Sequence, residues 1–340
     1  MPIVEAKQVS KAFRRSVKGN GLAGSVKHLF KPRYESKLAV DQVSFSIEPG
    51  ESVGYVGPNG AGKSTTIKLL TGIIVPTSGE VRVEGRIPHR DRIANAQHIG
   101  VIFGQRTQLW WDLPVQDSFR LLGDVYRVPR EEYKRSLEEC VELLDLTPLL
   151  PIPTRQLSLG QRVRCDVAAT LLHSPSILFL DEPTIGLDVA VKANIRAFIK
   201  QIQRDRQVTV LLTSHDLGDI SDLCQRLMMI DRGKIVFDGP IDSVLKRFGC
   251  ERVIHLLLEE AGQDAVRRAQ VLLPEIPADA VQQPEPHHLT IHFNPDQLTA
   301  GAIAGRLMPA LPIQDLKIDE PKIETVIRQL YTGELHFDGQ

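Results

Sequence analysis

An α/β domain built on a parallel sheet, with a helical subdomain, followed by a small α+β domain, is the fold that the sequence predicts. Three observations predict it. Residues Gly57, Pro58, Asn59, Gly60, Ala61, Gly62, Lys63, Ser64 and Thr65 fit the phosphate-cradling pattern G-x-x-x-x-G-K-[ST], with the strand-like run Ser52 to Val56 before them and a helical run from Ser64 to Leu70 after them. Further short apolar runs each end in polar residues, as strands do when their C-terminal ends form a binding edge. From Pro240 onward the composition changes, and the chain reads as a small α+β unit without a motif that carries chemistry.

The chain has 340 residues, 42% of them hydrophobic, which suits one large domain plus a smaller one. Lys+Arg 41 against Asp+Glu 42 leaves a net charge of −1, so no overall field draws it to nucleic acid, and no nucleic-acid partner is expected. Cys140, Cys165, Cys224 and Cys250 lie far apart, without the spacing of a zinc site or a disulfide framework, which points to a reducing cytosol. No apolar run approaches the roughly 20 residues that span a bilayer, and the start lacks the regions of a signal peptide. Any membrane-spanning part is therefore expected from another chain.

In order, Ile3 to Val9 and Leu38 to Ile47 read as strands, the second closed by the turn Glu48-Pro49-Gly50. Between them, an insertion at about 14–37 is basic. From Lys11 to Lys37 there are eight Lys or Arg against one acid, Glu35, and Leu22, Val26, Leu29 and Phe30 share one helical face, the pattern of a short basic amphipathic helix or of a solvated loop. Gly79 to Gly85 alternates like a half-exposed strand, and Ile99 to Phe103 reads as a buried one running to Gly104-Gln105. A helical subdomain is expected over about 106–172, with clear helical periodicity from Glu131 to Leu146; Trp110 and Trp111 within it are assigned to core or interface. Ser158, Leu159, Gly160 and Gln161 precede a helix from about Arg162 to Leu172, whose start offers N–H groups to an anion.

Ile177 to Leu180 is a buried strand that delivers Asp181 and Glu182. Two adjacent carboxylates beside a phosphate loop are costly unless used: Asp181 suits a magnesium ion held through water, and Glu182 suits taking a proton from an attacking water. Lys63 should reach the terminal phosphates and Ser64 should ligate the magnesium. Val208 to Thr213 ends in Ser214-His215, where a neutral imidazole can sense a terminal phosphate. Leu227 to Asp231 and Lys234 to Asp238 form a hairpin around Arg232-Gly233. Beyond Pro240 (residues 241–340) the expected elements are helix Ser243–Phe248, strand Val253–Leu258, helix Asp264–Leu273, strand Leu289–Phe293, helix Leu298–Leu307, strand Ile313–Ile318 and helix Ile323–Leu330. None carries a chemical motif, which suggests an accessory or regulatory domain.

Taken in order, GPNGAGKST, the glutamine after VIFG, LSLGQ, SILFLDEP, the GLD of Gly186-Leu187-Asp188, and LLTSH resemble the ATP-binding subunit of an ABC transporter over about residues 3–240. The resemblance implies a P-loop NTPase of ABC type at 1–240 that binds and hydrolyses ATP with Mg2+. It implies Gln105 as a loop glutamine contacting magnesium and water, Glu182 as catalytic base, and His215 as the switch histidine. Asp188 would lie in the loop facing an opposite subunit, and Phe13 would stack on adenine. The family's usual LSGGQ differs at Leu159, whose side chain must point away from the nucleotide while its N–H stays available. Lack of a membrane segment, the basic insertion and the extra C-terminal domain are similar to exporter ATPases that pair with separate permeases; some polysaccharide exporters carry a comparable insertion. The implied partners are transmembrane permease subunits and a second copy of the chain or a homologous ATPase subunit. Peripheral contact at the cytoplasmic face of the membrane follows, as the basic insertion also suggests. A non-transport ABC ATPase of translation or DNA repair is the competing reading, disfavoured by a single ATPase unit without long heptad arms.

Overall fold

The computed structural model describes residues 1–17, 33–104, 106–248, 252–259, 264–295, 297–319 and 326. They divide into two compact units, Met1–Gly239 and Pro240–Gln340.

In the first unit, β1 (Val4–Val17) pairs antiparallel with β2 (Arg33–Ile47). The register runs from Val4 opposite Ile47 to Val17 opposite Arg33. Both strands thus extend into the basic insertion, correcting the expected ends at Val9 and Leu38. Alternating side-chain contrast fades beyond Val9, so period alone could not carry the strand further; cross-strand backbone pairing does. The amphipathic helix expected around Leu22 to Phe30 lies outside the described residues.

Next come β3 (Ser52–Val56), α1 (Lys63–Leu70), β4 (Ser78–Val83), α2 (Arg92–His98) and β5 (Ile99–Phe103). The helical subdomain follows with α3 (Val115–Val125), α4 (Arg130–Leu143) and α5 (Leu159–Leu171). In α3, buried Val115, Phe119 and Leu122 recur on one face at the helical period. Then come β6 (Ile177–Asp181), α6 (Val189–Arg206), β7 (Thr209–Thr213), α7 (Leu217–Leu223), β8 (Arg226–Asp231) and β9 (Lys234–Pro240). Sequence reading passed over α6, although Ile195, Phe198, Ile199 and Ile202, all buried, carry the spacing.

The central sheet has the order β5-β6-β7-β3-β8-β9, and β4, β1 and β2 make a second, antiparallel sheet. Every residue of β3, β6 and β7 is buried, which explains their unbroken apolar runs: parallel strands are covered on both faces. Because β5, β6, β7, β3 and β8 run parallel, their C-terminal ends share one edge, with Phe103, Asp181 and Thr213 on a single rung. A core of Val4, Ile47, Val53, Tyr55, Ile67, Phe179, Leu211 and Met228, among others, holds this edge in place. Each such fully buried apolar side chain contributes about 1.5–3 kcal/mol.

The second unit contains α8 (Ile241–Phe248), β10 (Arg252–Leu258), α9 (Ala265–Leu272), β11 (Val281–Glu285), β12 (His288–Phe293), α10 (Ala300–Leu307) and β13 (Ile313–Asp319). Its sheet has the order β11-β12-β10-β13 with antiparallel pairs throughout. Ile254, Leu256 and Leu258 of β10 and Leu289, Ile291 and Phe293 of β12, with Ile254 opposite Ile291 and Leu256 opposite Leu289, share one core with Ala269, Ile303 and Leu307 of the helices. Strand β11 was not expected, because Pro284 argues against a central strand; it sits at the sheet's edge, where proline is tolerated. Of the expected helix Ile323–Leu330, only Val326 is described, and it is helical and buried.

Candidate active site

The loop from Gly57 to Gly62 leaves β3 and enters α1. A Cβ at Gly57 would stand 2.2 Å from the Ile230 carbonyl oxygen, and one at Gly62, whose φ is +118°, would stand 2.4 Å from the Ala39 carbonyl oxygen. Neither position admits a side chain. Gly62 is the N-cap of α1 and supplies no side-chain cap, so the first N–H groups of this eight-residue helix face the loop without a competing side-chain acceptor. Lys63 is buried, and its Nζ donates to the carbonyls of Gly57 at 2.6 Å and Pro58 at 3.2 Å. Burial lowers its pKa, and the nearby Glu182 and Asp181 offset part of that.

At the end of β6, Asp181 Oδ1 accepts from Ser64 Oγ at 3.2 Å and from Thr213 Oγ1 at 2.7 Å. Loop, β6 and β7 therefore meet on one carboxylate oxygen. Glu182 turns the chain with φ +57°, a left-handed conformation unusual for a residue other than glycine. That turn is held by its N–H, which donates to the Thr213 carbonyl at 3.0 Å and to Thr213 Oγ1 at 3.2 Å. It brings Glu182 Oε1 within 2.7 Å of His215 Nε2, at the start of the loop after β7. Thr213, read from sequence only as a strand end, is thus a junction of the site. The detectable signal was a hydroxyl at the last position of a strand neighbouring the acidic one.

Behind this pair lies a buried polar network. Asp219 accepts from Thr184 Oγ1 and from Ser214 Oγ at 2.9 Å, and Arg196 lies 3.5 Å from its other oxygen. The network ties the loops after β6 and β7 together and so fixes the approach of His215. Gly104, next to Gln105, donates its N–H to the Asp181 carbonyl at 2.7 Å. Gln105 itself lies outside the described residues. Phe13 is exposed on β1 opposite Lys37, with the Lys11 ammonium 5.3 Å from its ring centroid. Among the described residues, the oxygens of Ser64 and Asp181 are hard donors that converge beside an N–H-rich loop, a set that fits Mg2+ completed by phosphate oxygens.

The LSLGQ segment differs from its expected form. The helix begins at Leu159, not at Arg162, because Ser158 and Gln161 make a capping box: Ser158 Oγ accepts from the Gln161 N–H at 3.3 Å, and Gln161 Oε1 accepts from the Ser158 N–H at 2.9 Å. The box satisfies two terminal donors and leaves the N–H groups of Leu159 and Gly160 as the open end of α5. Leu159 Cδ2 lies 3.2 Å from the Cβ position of Gly186, and Gly160 sits against Val191. Asp188 caps α6, accepting from the Val191 N–H at 2.8 Å. The residues Ser158 to Gln161 and Gly186 to Asp188 therefore form one patch. Trp110 and Trp111, expected in core or interface, are exposed at 41% and 51% and so are not core residues.

The sequence model of the family described as "ABC transporter" matches residues 40–185. The linearmycin resistance ATP-binding protein LnrL of Bacillus subtilis is 33% identical over 226 residues, spanning 66% of this chain and 72% of that protein. The methionine import ATP-binding protein MetN of Geobacillus kaustophilus is 30% identical over 331 residues, or 92% of this chain and 91% of that one. Among solved structures, the dimeric post-hydrolysis state of the ATP-binding cassette MJ0796 bound to ADP and Pi superposes with a TM-score of 0.58 at 25% identity, covering 70% of this chain and 98% of that one.

Proposed function

The chain belongs to the family of ABC transporter ATP-binding subunits and is an ATPase, and from that premise we propose that two copies close around two ATP molecules and drive a separate membrane permease in the direction of export. The observation that carries the chemistry is the convergence of Ser64, Asp181, Thr213, Glu182 and His215 beside the phosphate loop.

In this reading the buried Lys63 ammonium exchanges its carbonyl acceptors in the loop for the terminal phosphate oxygens of ATP, while the α1 N–H groups hold the remaining charge. Ser64 and Asp181 would hold Mg2+, which when bound screens phosphate charge. Glu182 takes the proton of the attacking water at a carboxylate oxygen. His215 holds that carboxylate in place from the other side, and Thr213 holds the Glu182 backbone. Gln105 would contact the magnesium and the water. Phe13 provides a face for the adenine.

Each site is shared. The open N–H groups of Leu159 and Gly160 present the positive end of α5 to the γ-phosphate bound by the other copy, with Asp188 beside them. The cassette neighbour solved as a dimer supports this arrangement. No helix among the described residues is long and apolar enough to cross a membrane, which suits a peripheral subunit on the cytoplasmic face that works with transmembrane permease subunits. Relatives named for drug resistance and for import both exist. The basic insertion is the ground for export; the second unit, most of which falls within the 92% of this chain matched by the import protein MetN, is assigned a regulatory role and no direction.

Glu182→Gln tests the assignment. Hydrolysis should fall by about 10²- to 10⁴-fold while ATP binding persists. The variant should also become dimeric with ATP and monomeric without it by light scattering. Unchanged turnover, or one mass in both conditions, overturns the corresponding part of the reading.

A further inference from the structure

One buried acid takes no part in that chemistry. Asp166 lies in α5, a little over one turn after the LSLGQ segment, among the buried Val163, Cys165, Val167, Ala168 and Ala169. Alanine would serve a helix interior there at lower cost, because a buried carboxylate gives up hydration. Its Oδ1 accepts from Thr107 Oγ1 at 2.8 Å and from the Gln108 N–H at 3.1 Å. The Gln108 side chain closes a second link, donating to the Asp166 carbonyl at 3.1 Å and to Thr170 Oγ1 at 2.6 Å. One turn earlier on the same helix, the Arg162 guanidinium covers the Trp111 ring at 5.5 Å. The Trp111 carbonyl also accepts from the Arg155 N–H at 3.0 Å, close before Ser158. Residues 107–111 begin two positions after Gln105, so the loop carrying that glutamine is fastened to the helix that starts with LSLGQ.

We propose that Asp166 is a positioning residue that makes the loop after β5 and the start of α5 move as one piece. Each copy's own Gln105 and the segment that it lends to the partner's ATP are then set together. This rests on the shared-site reading above. Burial pushes Asp166 up to about 6, with Thr107, Gln108 and Arg162 offsetting only part of the effect. The ionised acid is therefore kept at neutral pH against the stability of the fold, as is common where a group serves function.

The test uses full-length Thr107→Val, Asp166→Ala and their double variant, with Asp166→Asn as the variant that keeps the acceptor oxygen and removes only the charge. A loosened loop should lower kcat by ten- to a hundredfold while the affinity for ATP, measured by titration of monomeric protein, changes by less than about twofold. Because one contact is being cut twice, the double variant should be no slower than the worse single one. Asp166→Asn should melt no lower than the parent at neutral pH, whereas a purely structural acid would lower the melting temperature. In a Glu182→Gln background, Thr107→Val should raise the ATP concentration needed for dimer formation. If Glu182→Gln alone fails to dimerise, the shared-site reading is at fault. If it dimerises and Thr107→Val changes neither kcat nor that concentration, or if the two single effects simply multiply, Asp166 has no positioning role.

Discussion

Measuring Asp166→Asn against pH isolates the charge of one carboxylate. In the folded chain its pKa is raised from 3.8 to about 6, chiefly by burial. A group raised on folding contributes stability that is fully present below its unfolded value and is lost as pH rises through the folded one. The span from 3.8 to about 6 corresponds to about 3 kcal/mol in full. Between about pH 5 and pH 7 the parent should lose on the order of 1 kcal/mol that the variant, with no proton to exchange at this position, keeps. All other titrating groups, Arg162 included, are common to both chains and cancel in the difference. Urea unfolding followed by tryptophan fluorescence is the assay, because the protein's two tryptophans, Trp110 and Trp111, lie on the loop that Asp166 fastens. A parent-minus-variant difference that stays constant within about 0.3 kcal/mol across that range refutes the reasoning.

Ser158→Ala removes the hydroxyl that caps α5 and should cost about 1 kcal/mol in urea unfolding, with unaltered ATP affinity in the monomer and weaker ATP-driven dimerisation; an equally tight dimer would show that the cap is only structural. A chain ending near Pro240 should still bind ATP, since the unit Met1–Gly239 holds all of the phosphate-site residues, and should differ in dimer stability or regulation; isothermal titration that finds no binding by the folded fragment contradicts this. Reversing Lys27, Lys31 and Arg33 to Glu should impair sedimentation with anionic vesicles or permease assembly, at about 1 kcal/mol for each charge near a bilayer, while ATP binding stays normal; full assembly at physiological salt would leave the segment as a solvated loop.

Much of the first unit was legible because its chemistry and its burial coincide. Asp181 follows four apolar residues that are all buried, and the phosphate loop lies between a strand and a helix whose lengths match their patterns. What escaped lies where pairing or local hydrogen bonds outrank periodicity. Beyond Val9, β1 persists through backbone pairing with β2, and Ser158 with Gln161 starts α5 a turn early through reciprocal caps. Thr213 and Asp166 escaped for another reason: their roles depend on partners 32 and 59 residues away, which no local pattern displays.

The left-handed turn at Glu182 limits how this position can change over generations. Branching at Cβ is disfavoured there by sterics, so valine, isoleucine and threonine would carry a backbone penalty of about 1–2 kcal/mol on top of losing the carboxylate. Asparagine and glycine accept the same turn more readily. A descendant that gives up hydrolysis but keeps nucleotide-driven pairing therefore has a narrow exit, through glycine or through small or unbranched amides. Such a residue at this turn in a related chain would mark a subunit that binds without turning over.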